Sequence, residues 1–272
     1  MAIDLAARDR EGFTELRYRS VMKRVRARHE GATIADSTRA VLVWEPRRVT
    51  PSYAVPEEDV LAELVPCAAG PEVTERPVLD PRVPFSVHTA AGDPLSVRLP
   101  GGAVAEGAAF RCADPEVAGL VVLDFSAFDW LDEDEPMVSH PRDPCHRIDV
   151  CRSGRAVRIE HDGRLLAESS RARWLFEATF WWVRYYLPRE DVVVPLERDD
   201  SRPTVCAYKG RATYWSVASD DPVLSRIAWS YEEPLHDAAQ VRGLVSFFTE
   251  RLDLSVDGVA MPRVRTPWSD PD

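Results

Sequence analysis

Two stretches of this chain lie over one another without a gap. "VRARHEGATIADSTRAVLVWEPRRVTPSYAVPEEDV" (25–60) and "VRIEHDGRLLAESSRARWLFEATFWWVRYYLPREDV" (157–192) are offset by 132 residues, and 15 of the 40 aligned positions in 25–64 and 157–196 are identical. The identities include Gly31 with Gly163, Ser37 with Ser169, Arg39 with Arg171, Tyr53 with Tyr185, Pro56 with Pro188 and Asp59 with Asp191. A chain that repeats itself over such a span has to build one module twice. We expect an N-terminal extension (1–20), a first module (21–135), a linker (136–150), a second module (151–260) and a loose tail (261–272) on which Trp268 can dock. The 272 residues leave each module enough chain for its own core.

Each copy opens with alternating apolar and polar residues. In the second copy Asp162-Gly163 interrupts the alternation, which predicts a hairpin whose tight turn needs positive φ at both central residues. An apolar strand follows, then "YYLPREDV", where Pro188 and the acids suit the start of a short helix. "RATYWSV", "SRIAWSY", "GLVSFFTER" and "LDLSVDG" read as further strands, separated by Pro, Gly and Asp. The fold class is therefore mainly β, with a few short helices.

The second halves of the copies diverge. "TVCAYKGRATYWSV" (204–217) crowds Cys206, Tyr208, Lys209, Tyr214 and Trp215 around a glycine, and "AWSY" adds Trp229 and Tyr231. The first copy has Thr89 for Lys209 and Leu95 for Trp215, so a site is expected in the second copy. Alternation places Trp229 and Tyr231 on one strand face, and an aromatic wall with Lys209 at its Gly210 corner is the expected arrangement. Lys209 is then either a cationic anchor for a ligand's anionic group or, desolvated, a general base or Schiff-base nucleophile with Tyr208 and Tyr231 as proton relays. Tyr185, Trp182, Cys206, Tyr214, Trp215 and Trp229 are the expected ligand-binding residues, the first two from the block "FWWVRYY". A third reading makes that block, with Trp181, the contact surface of a protein–protein adaptor. Asp191, Glu190, Glu232 and Glu233 read as structural or solvated.

A formal net charge of −11 argues against a nonspecific nucleic-acid binder. No apolar run is long enough for a membrane-spanning helix and no secretory leader is visible, so a cytoplasmic protein is expected. Five cysteines without a Cys-x-x-Cys pair read as reduced thiols. His140, Cys145, His146 and Cys151 come close in sequence, but their spacing fits no standard zinc site. No metal and no cofactor are expected, and the partner is a small molecule bound by a monomer or weak homodimer. Phosphate-loop, dinucleotide, nucleophile-elbow and zincin motifs are absent from the sequence.

The stretches "HPRDP", "VRIEHDG", "YYLPREDV", "TVCAYKGRATYWSV", "IAWSYEEP" and "GLVSFFTERLDLSVDG" resemble the family catalogued as domain of unknown function 427, in its tandem bacterial form. The resemblance implies a β-tent (Mss4-like) fold in each module: two antiparallel sheets meeting at an angle, with a ligand cleft between them. Many such tents carry a four-cysteine zinc. This chain lacks the cysteine pairs, so a structural zinc is not expected. Two departures from the family pattern, Ala207 before Tyr208-Lys209-Gly210 and the aromatic "FWWVRYY", flank the expected pocket. A nucleotidyl-transfer label attached to the family finds no support, because the acids of "LDFSAFDWLDEDE" lack the Gly-Ser turn such enzymes need.

Overall fold

The computed structural model describes residues 2, 12–71, 78–178, 180–266 and 268–269, apart from the side chains of Phe180 and Trp181. The adaptor expectation for Trp181 therefore falls outside the described residues. The chain divides into two units, Met1–Asp143 and Pro144–Asp272. Among the described residues no helix is long and apolar enough to cross a membrane.

The first unit begins with β1 (Arg17–Ser20), β2 (Val25–His29), β3 (Ala32–Ser37), β4 (Val41–Trp44), β5 (Ser52–Pro56) and β6 (Glu63–Pro66). It continues through β7 (Gly92–Arg98), β8 (Val104–Cys112), β9 (Leu120–Leu123), β10 (Asp129–Asp132) and β11 (Glu135–Pro136). The second begins with β12 (Ile148–Arg152), β13 (Val157–His161), β14 (Arg164–Ser169), β15 (Arg173–Glu177), β16 (Phe180–Leu187) and β17 (Leu196–Cys206). Its remaining strands are β18 (Gly210–Val217), β19 (Ala228–Ser230), β20 (Val245–Phe247), β21 (Asp253–Val256) and β22 (Val259–Ala260).

Each unit holds a seven-stranded and a four-stranded antiparallel sheet. The seven-stranded orders, β1-β4-β5-β9-β8-β7-β6 and β12-β15-β16-β20-β19-β18-β17, are the same path traced twice. The chain is mainly β, as expected, in two groups of two sheets. Strand β1 draws residues 17–20 of the expected extension into the first unit's large sheet. Within the expected tail, the Thr266 hydroxyl donates to Glu250 Oε1 and the Trp268 carbonyl accepts from Arg251 Nε.

The identical residues of the repeat explain themselves locally. The Ser169 hydroxyl donates to Asp191 at 2.6 Å and accepts the Arg171 backbone N–H at 3.0 Å, while the Arg171 guanidinium closes back on Asp191. Ser37, Asp59 and Arg39 make the same clasp in the first unit. The hairpin turn also recurs. Asp162 and Gly163 have φ of 48° and 78°, and Glu30 and Gly31 have 46° and 85°, so the first copy keeps the turn with a glutamate held in the left-handed region.

Register decides which side chains share a face of the second large sheet. Tyr214, Trp229, Ser246 and Tyr186 are successive cross-strand partners and occupy one face. Thr213, Ser230, Val245 and Leu187 occupy the other, together with Trp215, Ala228 and Phe247. The first unit shows what each face is for. Leu42, Tyr53, Val55 and Leu95 pack with Val25, Ala27 and Ile34 of the small sheet, forming the inner core. Val43, Ala54, Phe110, Cys112 and Val122 form a separate outer cluster under Leu16 and Phe85. By strand order and register Trp215 takes the inner place of Leu95, and Trp229 the outer place of Phe110.

Candidate functional site

Strands β17 and β18 pair down to Cys206 and Gly210, which leaves Ala207, Tyr208 and Lys209 as the hairpin tip. Hairpin tips normally stand in water. This one is buried at both Ala207 and Tyr208. The Lys209 carbonyl accepts the Leu235 N–H at 3.2 Å, so the segment after Tyr231 lies across the tip. Gly210 has φ +91°, so the corner takes glycine for conformation, and a Cβ there would touch Glu233 O and Leu235 N at 3.4 Å.

The buried tip delivers Lys209 to a carboxylate. Its Nζ lies 2.7 Å from each oxygen of Glu177, with 12% and 6% of the two side chains exposed. Glu177 sits where β15 meets a register shift against β16. His146 Nε2 lies 3.2 Å from Glu177 Oε1, and the His146 ring rests on Tyr208 with centroids 4.0 Å apart. Burial opposes the Glu177 charge, but Lys209 and His146 outweigh it and hold the carboxyl near pKa 2. Burial likewise opposes the Lys209 charge, and Glu177 reverses that effect, so the ammonium stays protonated well above the ordinary lysine value. Tyr186, fully enclosed, is pushed up to about 12 by burial. Burial raises Tyr231 as well, with the charges of Tyr186, Cys206 and Glu177 acting in the same direction.

The sign of the pH dependence follows. A carboxyl lowered from 4.5 to about 2 on folding adds stability that is complete above pH 4.5 and is lost as pH falls toward 2. The contribution is on the order of 3 kcal/mol, from ~1.4 kcal/mol per pKa unit. Urea titrations from pH 6 to pH 2 should therefore show a steeper acid loss in the wild type than in Glu177→Gln; parallel curves would contradict the charged pair.

The expected aromatic wall is not built as one surface. Trp215 faces the inner core, where its Nε1–H donates to Ser230 Oγ at 2.9 Å and Arg189 stands 4.0 Å over its ring. Trp229 lies on the opposite face and donates to the Tyr186 hydroxyl at 3.1 Å. The physical reason is the odd register step: Trp229 pairs with Tyr214, not Trp215, so the two indoles point apart. Tyr185 is on the Trp215 side, edge-on to Trp174. Tyr214 lies under Arg226, and its hydroxyl meets Thr204. Trp182 stands edge-on to Trp268 near Arg184. Arg184 holds its guanidinium between 5.2 and 5.8 Å from the rings of Trp182, Trp229, Phe248 and Trp268, and pairs in bidentate fashion with Glu250. The cage exists, but its cation is the chain's own. Lys209, Tyr208 and Cys206 remain together at the tip, with Tyr231, Tyr186 and Glu177 close enough to be felt electrostatically.

Residue reasoning on the sequence missed Glu177, Arg184 and Glu250, met Tyr186 only as a member of the aromatic block, and met His146 only within a group that fits no zinc site. Glu177 carried a signal, being identical with Glu45 in the gapless alignment. Glu45 is buried too, but it is satisfied differently: His88 Nδ1 at 2.9 Å, the backbone N–H groups of Thr89 and Ala90 at 2.7 and 3.1 Å, and Arg48 Nε farther off at 3.8 Å. His146 belongs to the sequence group His140, Cys145, His146, Cys151, which does not form a ligand set. His140 turns to its neighbouring carbonyl, His146 to Glu177, and both cysteines are exposed. Among the described residues His161, Asp162 and Asp221 do bring donor atoms within 4.8 Å of one another, with His161 Nε2 already engaged by Asp221 at 2.6 Å.

These features define a two-sheet β module whose large sheet carries a buried lysine–glutamate–histidine group under a roofed hairpin tip. Residues 149–258 match the family described as Domain of unknown function (DUF427), and the second unit belongs to it. No curated protein matches the chain.

Proposed function

We propose that the second unit binds a small molecule, an apolar or planar body bearing an anionic group, at the Lys209 tip. The observation that carries this reading is the contrast between the two copies. The shared glutamate of the first unit is satisfied by backbone N–H groups and a histidine, with Arg48 Nε 3.8 Å away, so the scaffold needs no lysine hydrogen-bonded to it. A buried ion pair gains little stability over an apolar replacement, so the direct lysine–glutamate contact at 2.7 Å, where the first unit has only a looser Arg48–Glu45 approach at 3.8 Å, calls for a role. Two of the three ammonium protons are directed at Glu177, which leaves the third for a ligand acceptor. Outer-face positions that are Ala54, Phe110 and Cys112 in the first unit are Tyr186, Trp229 and Tyr231 here, larger and with polar atoms.

The same geometry favours an anchor over a base or Schiff-base nucleophile. A lysine whose proton is held by a carboxylate at 2.7 Å lacks the free lone pair that both chemistries require. The ligand enters by lifting residues 232–241 from the tip, a segment tied there by the Leu235 N–H to Lys209 carbonyl bond.

Native mass spectrometry of the full chain for a co-purified molecule, followed by thermal shift with benzoate and indole-3-carboxylate, tests the reading. Stabilisation by either probe should vanish in the charge-neutral pair variant Lys209→Met/Glu177→Gln, and hydrogen exchange of 232–241 should slow on binding. An unchanged shift in that variant, or no adduct and no shift in the wild type, overturns it.

A further inference from the structure

Away from the tip, where β12 ends and β15 begins, Arg152, Ser153, Gly154, Arg171 and Arg173 line an open groove of about 450 Å³. We infer that this groove is a binding site for a phosphate-bearing small molecule. Arg152 and Arg173 are direct cross-strand partners. Like charges placed opposite one another destabilise a sheet, and among the described residues neither guanidinium meets a carboxylate. Arg171 is different: its charge is already answered by Asp191 at 2.5 Å and Glu190 at 3.3 Å, so it forms a wall of the groove and contributes no free charge.

The pair stands out for two reasons. The chain is acidic, with formal charge −11, so acids were available to neutralise it. The corresponding partners in the first unit are Ser20 and Val41, so the fold does not require charge at either position. Repulsion tolerated in one copy alone is explained by an anion that relieves it. Opposed side chains start about 5 Å apart across a ladder, which lets two planar forks converge on one group. A carboxylate is satisfied by a single fork, whereas a phosphate offers more oxygens and a second charge, so two forks select phosphate. Gly154 at the mouth has open space where a Cβ would be, and the volume suits a small metabolite.

Calorimetry of the full chain with pyrophosphate at low ionic strength tests the assignment. The wild type should bind at one saturable site, weakened by added salt. Each lost fork should cost about tenfold, so Arg152→Gln/Arg173→Gln should bind about a hundredfold more weakly. Arg98→Gln, at the exposed end of the first-unit strand β7, should bind like the wild type. Because the double variant removes repulsion, its melting temperature without ligand should equal or exceed that of the wild type. Absence of saturable binding to the wild type, equal binding by the double variant, or benzoate displacing labelled pyrophosphate from Lys209→Met/Glu177→Gln as effectively as unlabelled pyrophosphate does each overturns the assignment. Lys209→Met/Glu177→Gln should keep pyrophosphate affinity, so failure here and failure at the tip are told apart.

Discussion

Lys209→Met is expected to destabilise the second unit by about 3–5 kcal/mol, the cost of leaving a buried carboxylate without its counter-ion. The Glu177 side chain is 6% exposed and, among the described residues, keeps only His146 as a side-chain partner once the ammonium is gone. The residue then takes up a proton at mild pH, which limits the loss but does not abolish it. A melting shift on the order of 10 °C should result in the transition that belongs to residues 144–272. Replacing Glu177 by Gln in the same chain should recover much of that loss, since both charges are then removed together. Urea unfolding of the wild type, the two single variants and the double variant gives the coupling directly. A loss below about 1 kcal/mol in Lys209→Met would mean that the pair is solvated in practice.

Arg184→Met is expected to cost a comparable amount, about 3–5 kcal/mol, for the same reason applied at another point on the outer face. Glu250 is 2% exposed on its side chain and receives both ends of the Arg184 fork at 2.6 and 2.9 Å. The guanidinium also stands against four rings, a cation–π arrangement that methionine replaces only in part. Glu250 accepts the Thr266 hydroxyl as well, so the defect should spread to the tail. Urea unfolding measures the loss, and hydrogen exchange should show residues 264–266 opening first. Wild-type protection there would separate the tail from the Arg184–Glu250 pair.

The repeat made the architecture legible. Ser169, Arg171 and Asp191 recur because they form one clasp, and the Asp-Gly hairpin recurs because its turn demands positive φ. Both features are local, and local chemistry is what a single sequence displays. The site was legible only in part. The alternation rule placed Trp229 and Tyr231 on one side of their strand, but the relation of Trp215 to Trp229 depends on which residue of β18 pairs with which of β19. That register is set by long-range packing. Glu177 reaches Lys209 from 32 residues away, and His146 reaches Glu177 and Tyr208 from the chain before β12, with no spacing rule to connect them. Arg184 was visible inside "WWVRYY", but not as the occupant of an aromatic cage.

One consequence of the roofed tip concerns how this module can vary. The turn at Asp162-Gly163 has room around it, because nothing lies within 4 Å of the space a Cβ would take at Gly163. The Cys206–Gly210 corner has no such freedom, since Leu235 and Glu233 close over it. Inserted residues there would have to force an ammonium and its carboxylate apart. Length polymorphism among relatives, and any engineered graft, therefore belongs at the first hairpin and is barred from the second.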